Sequence, residues 1–383
     1  MIKKRHGITA MNLMLRMVLR VGFLLTLLLA TVLLLAAYGG HIDPRTTAKP
    51  SVFTLALPYV AIFTGAVMLV WALVRQWSSA AVALLAIVLA WPSIRVVCPL
   101  NVFPPRVSAD EEMLQFKVLT FNAMYFIYDE QEYWNNDNKA FDYLLNCGAD
   151  LILVQEGDIG KYLEQMPAVK ERYGELKSKY PYRTDDCARN LSMLSRYPFT
   201  LEEEIIDEDS SLLACVYKMK IKGRELNVVN MHLQSLHLNK DDKQLYLEYT
   251  NPHNMKEKID NSDRLRKSVW TKLQMAFRHR ADQVDLLRVK IDELGENVIV
   301  CGDFNDTPCS YAYRTVRGDD FNDAYQECGF GPEITYHENR FYFKIDQILY
   351  RGDMHAANVE RPSLKISDHY PLMATMAWHS RED

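Results

Sequence analysis

The first 106 residues of this 383-residue chain hold a single acidic residue, Asp43, against ten Lys and Arg. A soluble surface mixes both signs, so this part is not an ordinary globular surface. Cysteine is also sparse. The seven cysteines show no zinc-ligand spacing and no dense disulfide framework, which argues against a zinc module and a stapled scaffold. Cys147 and Cys301 sit in apolar runs and read as small core residues. Internal repeats and low-complexity tracts are missing, which excludes a fibrous or disordered chain.

What is present falls into two parts of opposite charge. Residues 1–106 sum to +9 and residues 107–383 to −14, giving the net −5. The second part has 277 residues, enough to bury a large core as one domain.

Three apolar stretches mark residues 1–100 as a membrane anchor of about three transmembrane helices: 21–38, 52–74 and 79–100. The first two carry no charge, and a spanning helix needs roughly 20 apolar residues. The third carries Pro92 and Arg95, so a re-entrant or interfacial helix is its alternative. The first run is too long, and too far from the N-terminus, for a cleaved signal peptide. Lys3, Lys4, Arg5, Arg16 and Arg20 place the N-terminus on the cytoplasmic side. Three spans then make this a multi-pass integral membrane protein with an extracytoplasmic large domain, whereas two spans leave that domain inside. Residues 101–112 form a linker whose NVFPPR run stops helix and stiffens the exit.

Within residues 113–379, short apolar or alternating segments read as strands that end in polar residues. Gln115–Phe121 is followed by Asn122, and Leu151–Gln155 by Glu156. Leu226–Met231 precedes His232. Val298–Cys301 precedes Gly302, Asp303, Phe304 and Asn305. Asp346 lies in FKIDQILY, and Ser367, Asp368 and His369 precede the apolar Tyr370–Ala377. Helical spacing over Asn138–Leu145, without regular βαβ alternation, argues for packed sheets with flanking helices. Each polar residue by itself is an ordinary turn or a satisfied side chain. Their recurrence at several strand ends gives the pattern meaning, because strand ends of one sheet converge on one rim.

Such a set suits metal-assisted hydrolysis of a phosphate ester. Glu156 and the Asn122 amide oxygen supply hard oxygen ligands. Asp303 orients a water, while His232, Asn305 and His369 donate to the developing charge. Asp346 fixes the His369 tautomer.

The motifs LTFNA, LVQEG, LSRYP, VNMHL, GDFND, KIDQIL and SDHYPL, in this order, resemble the endonuclease/exonuclease/phosphatase superfamily of DNase I-like proteins. The resemblance covers Phe116–Ala377. It implies an α+β fold, a four-layer α/β/β/α sandwich, preceded here by the bundle of transmembrane helices. It also implies a Mg²⁺- or Mn²⁺-dependent phosphoesterase. By this resemblance Glu156 is the main metal ligand with Asn122 beside it, and Asp368 matches an acidic position near a metal. Asp303 orients or activates water, Asn305 holds the transition state, His232 contacts the phosphate, and His369 pairs with Asp346. Lys344 and Gln347 depart from the family's usual Arg and Tyr. Asn190, before LSRYP, is a candidate for lining the pocket.

An insertion, residues 236–290, carries a local +4, and Arg264–Arg280 holds six basic and no acidic residues. Its apolar residues fall at helical spacing, which leaves a basic face. Arg264 and Arg266 are therefore candidate substrate contacts toward anionic lipid heads or phosphates, and a solvated helix on the sandwich is the plainer alternative. The expected function is a membrane-anchored, metal-dependent hydrolase of a phosphodiester or phosphomonoester by direct water attack. The alternatives are a membrane-bound nuclease and an inactive scaffold. The expected partners are the lipid bilayer and a phosphate-ester substrate, lipid-linked, nucleotide or nucleic acid, and the sequence points to no obligate protein partner.

Overall fold

The computed structural model describes residues 2–103, 105, 107–128, 138–184, 190–209, 211–236, 257–338 and 341–380. Of residues 2–12, 161–162 and 257–268 only the backbone is described.

Twelve strands form two six-stranded sheets among the described residues. The first contains β1 (Gln115–Asn122), β2 (Leu151–Gln155), β3 (Tyr182–Arg183), β4 (Leu191–Ser195), β11 (Met354–Glu360) and β12 (Leu372–Trp378). Its order is β11-β12-β1-β2-β4-β3. The second contains β5 (Phe199–Ile206), β6 (Leu212–Ile221), β7 (Arg224–His232), β8 (Val298–Asp303), β9 (Asn322–Asp323) and β10 (Asp346–Arg351). Its order is β5-β6-β7-β8-β10-β9. Parallel pairing joins β1 to β2 and β7 to β8, where helices make the crossover.

Side-chain alternation sorts each strand between two cores. From β1, Phe116 and Val118 enter the core between the sheets, whereas Leu119 and Phe121 face outward helices. From β8, Ile299 and Cys301 enter the inter-sheet core, whereas Val298 and Val300 face the other way. The outer face of the first sheet is covered by helices such as Lys139–Asn146. That helix starts where the Asn138 side chain accepts from the Phe141 N–H, and it buries Ala140, Phe141, Leu144 and Leu145. Burying each of the three large side chains contributes about 1.5–3 kcal/mol. The long helix Glu257–Asp292 and the helix Tyr311–Arg317 cover the second sheet. Layer by layer this is an α/β/β/α sandwich.

The N-terminal part is helical but divides differently from the three expected spans. The first helix, α1, runs Ile2–Tyr38, and the apolar segment Leu13–His41, which includes the short helical turn Gly39–His41 after it, is long enough to cross a membrane. Stretch 52–74 is not one helix. Pro58 lacks an N–H and occupies the first turn of a new helix, so the stretch splits into α2 (Lys49–Thr54) and α3 (Leu57–Leu73). The 17 residues of α3 reach only about 26 Å, short of the hydrocarbon thickness. Stretch 79–100 instead overlaps a continuous 21-residue helix, α4 (Trp77–Val97), despite Pro92. The Tyr38 hydroxyl donates to the Leu89 carbonyl at 2.6 Å, in the turn that Pro92 disturbs, and the Ser93 hydroxyl donates to the Ala37 carbonyl at 2.7 Å. Leu24, Leu28, Ile62, Phe63, Leu85 and Val88 remain exposed on the outside of these helices.

One end of the bundle sits on the sandwich. Leu33, Ala36, Ala90 and Ile94 share a core with Val284, Leu287 and Tyr313. Gly40 approaches so closely that a Cβ there would lie 1.9 Å from the Cys309 carbonyl oxygen. Arg45 spans to Asp282 at 3.1 Å and Asp285 at 2.5 Å. The Asn101 amide donates to the Gln326 and Gly329 carbonyls, both at 2.9 Å. The domain thus caps the C-terminal ends of α1 and α4 and the N-terminal end of α3.

The six described cysteines are free. Cys301 is buried as a core residue, and Cys147 is half-buried with its thiol turned to the Leu144 carbonyl.

Candidate active site

Alternation carries the site residues to one place. Asn122 shares its inward face of β1 with Phe116 and Val118, and Asp303 shares that of β8 with Ile299 and Cys301. In the second sheet His232 and Asp346 both stand in register with Asp303. Four side chains from two sheets therefore meet at one end of the inter-sheet space.

Asp303 is the centre. Its Oδ2 accepts from Asn122 Nδ2 at 3.1 Å and lies 3.7 Å from His232 Nε2 and 3.6 Å from His369 Nε2. Its Oδ1 accepts the Asn305 N–H at 2.7 Å. Burial raises its pKa above the usual carboxylate value, and the two imidazoles act against that rise. Gly302 brings it there, with φ at +145° and no room for a side chain: a Cβ would stand 1.8 Å from the Met231 carbonyl oxygen.

His369 Nδ1 is 2.8 Å from Asp346 Oδ2, so Nδ1 carries the proton that Asp346 accepts. Burial would lower the His369 pKa, but the Asp346 and Asp303 carboxylates outweigh it and raise it to about 10. The ring is therefore an imidazolium at neutral pH. Both hydrogen bonds to the Thr335 hydroxyl, from the Ile345 and Asp346 N–H groups, fix the start of β10.

Glu156 follows β2 with φ at +48°, a left-handed conformation that a glutamate adopts only under constraint. Its Oε1 accepts from Asn122 Nδ2 at 3.1 Å and lies 3.6 Å from His232 Nε2. Asn190 and Asn305 are left-handed too. Asn190 Nδ2 donates to the Tyr125 hydroxyl at 3.1 Å, and the Tyr125 N–H donates to the Glu156 carbonyl. Asn305 gives one amide hydrogen to the Leu233 carbonyl at 2.8 Å. Asp368 lies nearby. Burial raises its pKa, His369 opposes this, and Glu156 and Asp303 add to it.

The donor set fits a hard divalent cation. Glu156, Asp303, Asp346 and Asp368 crowd one pocket, and Asp346 Oδ1 has no hydrogen-bond partner. Two histidines do not offset that charge in full. Asn122 presents its amide nitrogen to the carboxylates, while its oxygen accepts from the Met124 N–H at 3.2 Å. A half-turn of the amide exchanges the two, and a cation beside Glu156 favours the oxygen.

Of the proposed substrate contacts, Asn190 lies at the rim with Tyr125, whereas the side chains of Arg264 and Arg266 fall outside those described. The basic face expected over Arg264–Arg280 does not extend along the whole helix. Arg280 is buried against Asp306 at 3.2 Å, and Arg278 donates to the Pro44 carbonyl. The guanidinium of Arg280 satisfies a buried carboxylate, which outweighs solvation at its position on the helix. Lys344 and Gln347, which replace the family's usual residues, hydrogen-bond to each other, and the Lys344 ammonium packs over the Tyr325 ring.

Sequence reading missed three residues. Tyr125 ties Glu156 to Asn190. Tyr336 packs its ring edge-on against His369, with centroids 5.1 Å apart. The Ser367 hydroxyl bridges the Asn122 carbonyl and the Asp368 carboxylate at 2.8 and 3.2 Å. Only the Ser in SDH carried a signal, as a residue able to bond its own turn.

Residues 119–369 match the Endonuclease/Exonuclease/phosphatase family, and residues 16–97 match a domain of unknown function. No curated protein matches the chain. Among solved structures, an endonuclease/exonuclease/phosphatase from Bacteroides vulgatus is 17% identical, with 69% of this chain and 99% of that one covered and a TM-score of 0.45. Humanized D. rerio TDP2 is 16% identical, with 68% and 98% covered and a TM-score of 0.44. The human Nocturnin catalytic domain is 15% identical, with 72% and 97% covered and a TM-score of 0.44.

Proposed function

The chain belongs to the endonuclease/exonuclease/phosphatase family, and from that membership we propose a membrane-anchored, divalent-metal-dependent phosphoester hydrolase. The reading rests above all on one observation: a buried Asp303 oxygen held within 3.7 Å of two imidazole nitrogens and an amide. That arrangement suits water attack on phosphorus rather than a covalent enzyme intermediate. Asp303 accepts the water's proton as the new P–O bond forms. His369, charged and fixed by Asp346, gives its Nε2 proton to the leaving oxygen as the P–O bond to that oxygen breaks, beside the phosphoryl group. His232 Nε2, buried and without a partner, donates to the same group. Asn305 keeps a second amide hydrogen for it. Glu156, Asn122 and Asp368 would hold the cation. Bound Mg²⁺ or Mn²⁺ supplies charge neutralisation of the phosphate and a more acidic water.

Membrane attachment is supported by α1 and α4, the two helices among the described residues long and apolar enough to cross a bilayer. The N-terminus of α1 lies at the end of the bundle away from the domain, which favours an odd number of crossings in which the 17-residue α3 also crosses, with local thinning of the bilayer. With the basic N-terminus cytoplasmic, the domain is then extracytoplasmic. A bilayer-proximal substrate is favoured by an apolar cavity of about 220 Å³ between α3 and α4 that reaches Pro332. Pro332 stands three residues before Thr335, which holds the β10 end of the site.

The test is a substrate panel with the purified full chain in detergent: sphingomyelin, phosphoinositides, bis-p-nitrophenyl phosphate and DNA, with Mg²⁺ or with EDTA. Cleavage of a lipid phosphoester that EDTA abolishes supports the proposal. Preference for DNA makes the protein a membrane nuclease, and inactivity on every substrate removes the enzymatic reading.

The sign of the His369 shift gives a pH prediction. A pKa raised from 6.5 to about 10 means the charged form stabilises the fold fully below pH 6.5 and is lost as pH rises through about 10. Activity should fall on the same alkaline limb. Asp346→Asn removes the carboxylate that raises the pKa, so the limb should move to lower pH. A limb at the same pH in wild type and variant refutes this assignment.

A further inference from the structure

A second group of ligand-type side chains lies at the opposite end of the first sheet from Asp303. We propose that Glu111, His355 and His379 form a site for a borderline divalent ion of the zinc type, which clamps the linker helix to the sandwich. His355 is on β11 and pairs with Ala377, and His379 follows β12 directly. Glu111 belongs to the short helix Ala109–Met113, which leads from the membrane linker into β1.

One ligand atom from each residue falls within 4.8 Å of the other two. His379 Nδ1 and Glu111 Oε1 are 3.4 Å apart. That is long for a charge-assisted hydrogen bond. Two ligands bound at about 2.0–2.1 Å around a tetrahedral ion stand about 3.4 Å apart, so the spacing suits a shared ion better. His355 adds an independent observation. Both of its ring nitrogens are buried, and neither has a hydrogen-bond partner. A buried imidazole without partners is costly, and one that binds an ion and a water is not. Its ring lies against that of His379, with centroids 4.8 Å apart and planes 26° from parallel.

Glu111 is ready to ligate. Its Oε2 accepts from the Ser108 N–H and hydroxyl in a capping box, which leaves Oε1 toward the histidines. The Ser108 bonds hold its carboxyl down to about 2, so it is ionised. Two imidazoles and one carboxylate form a ligand set of the kind zinc takes with a water in the fourth position, and imidazole selects against Mg²⁺ and Ca²⁺. His379 is exposed, so an ion reaches the site from solvent. An ion here ties the residues that arrive from the membrane helices to the last strand of the domain.

The full chain in detergent micelles, stripped with EDTA, is equilibrated with Zn²⁺ and then desalted. Zinc per chain is measured by mass spectrometry, and the unfolding temperature is recorded with and without zinc. Wild type should retain one zinc and gain thermal stability from it. His379→Ala and Glu111→Gln should lose more than about tenfold in zinc affinity and show no thermal gain. Their metal-free unfolding temperatures should equal that of wild type, since His379 is half-exposed and Gln preserves the capping box. Asp303→Asn should retain the zinc. No retention by wild type, or equal retention by His379→Ala, overturns the proposal. So does zinc lost in Asp303→Asn but kept in His379→Ala, because the ion then sits in the active site.

Discussion

Asp303→Asn is expected to lower kcat about 10³-fold in Mg²⁺ and to leave KM nearly unchanged, the magnitude of losing a positioned base. Asn has the same shape, and its oxygen can still accept the Asn305 N–H at the 2.7 Å position. What disappears is the ability to take a proton. A second change adds to the loss. An amide nitrogen at the Oδ2 position faces the Asn122 Nδ2 donor that bonded there at 3.1 Å and removes the negative charge beside His232 and His369. Steady-state kinetics on bis-p-nitrophenyl phosphate decides it, beside an unfolding curve to show that the variant is folded. A loss below tenfold in a folded variant removes Asp303 from the reaction.

Gly302→Ala is expected to destabilise the chain by about 3–5 kcal/mol and to abolish activity, an effect of the size seen when a special backbone position is filled. Two costs combine. The position has φ at +145°, which side chains rarely adopt, and the added Cβ would stand 1.8 Å from the Met231 carbonyl oxygen. Met231 directly precedes His232, so relief of the clash separates β7 from β8 and moves His232 away from Asp303. Gly148→Ala is the control. Its φ is +73°, but nothing lies within 4 Å of the added carbon, so the expected cost is about 1 kcal/mol. Thermal unfolding of the two variants should differ widely. Equal unfolding temperatures would show that the β7–β8 contact does not set the site.

Several site residues were legible because they follow strand periodicity. Asn122, His232, Asp303 and Asp346 each extend the inward-facing set of their strand, so local alternation fixes the side on which they stand. The polar residues that end apolar strands also gather at one end of the sheets. Other features depend on pairings between distant segments, which no local pattern encodes. Tyr125 reaches Asn190 across 65 residues, and Arg280 turns inward because Asp306 is buried beside it. The helical unit followed composition only in part. Apolar length marked three stretches, yet Pro58 started a new helix inside one of them, while another stayed one helix through Pro92.

By itself, then, the sequence determined the two-part organisation, the inward face of each strand and the carboxylates and imidazoles of the pocket, because these follow from charge, run length and a period of two. Tertiary structure decided the strand order, the seat of the helices on the sandwich, the direction of the Asn122 amide and the meeting of Glu111 with His355 and His379. Those are non-local contacts, selected by packing and by the need to pair buried polar groups across the fold.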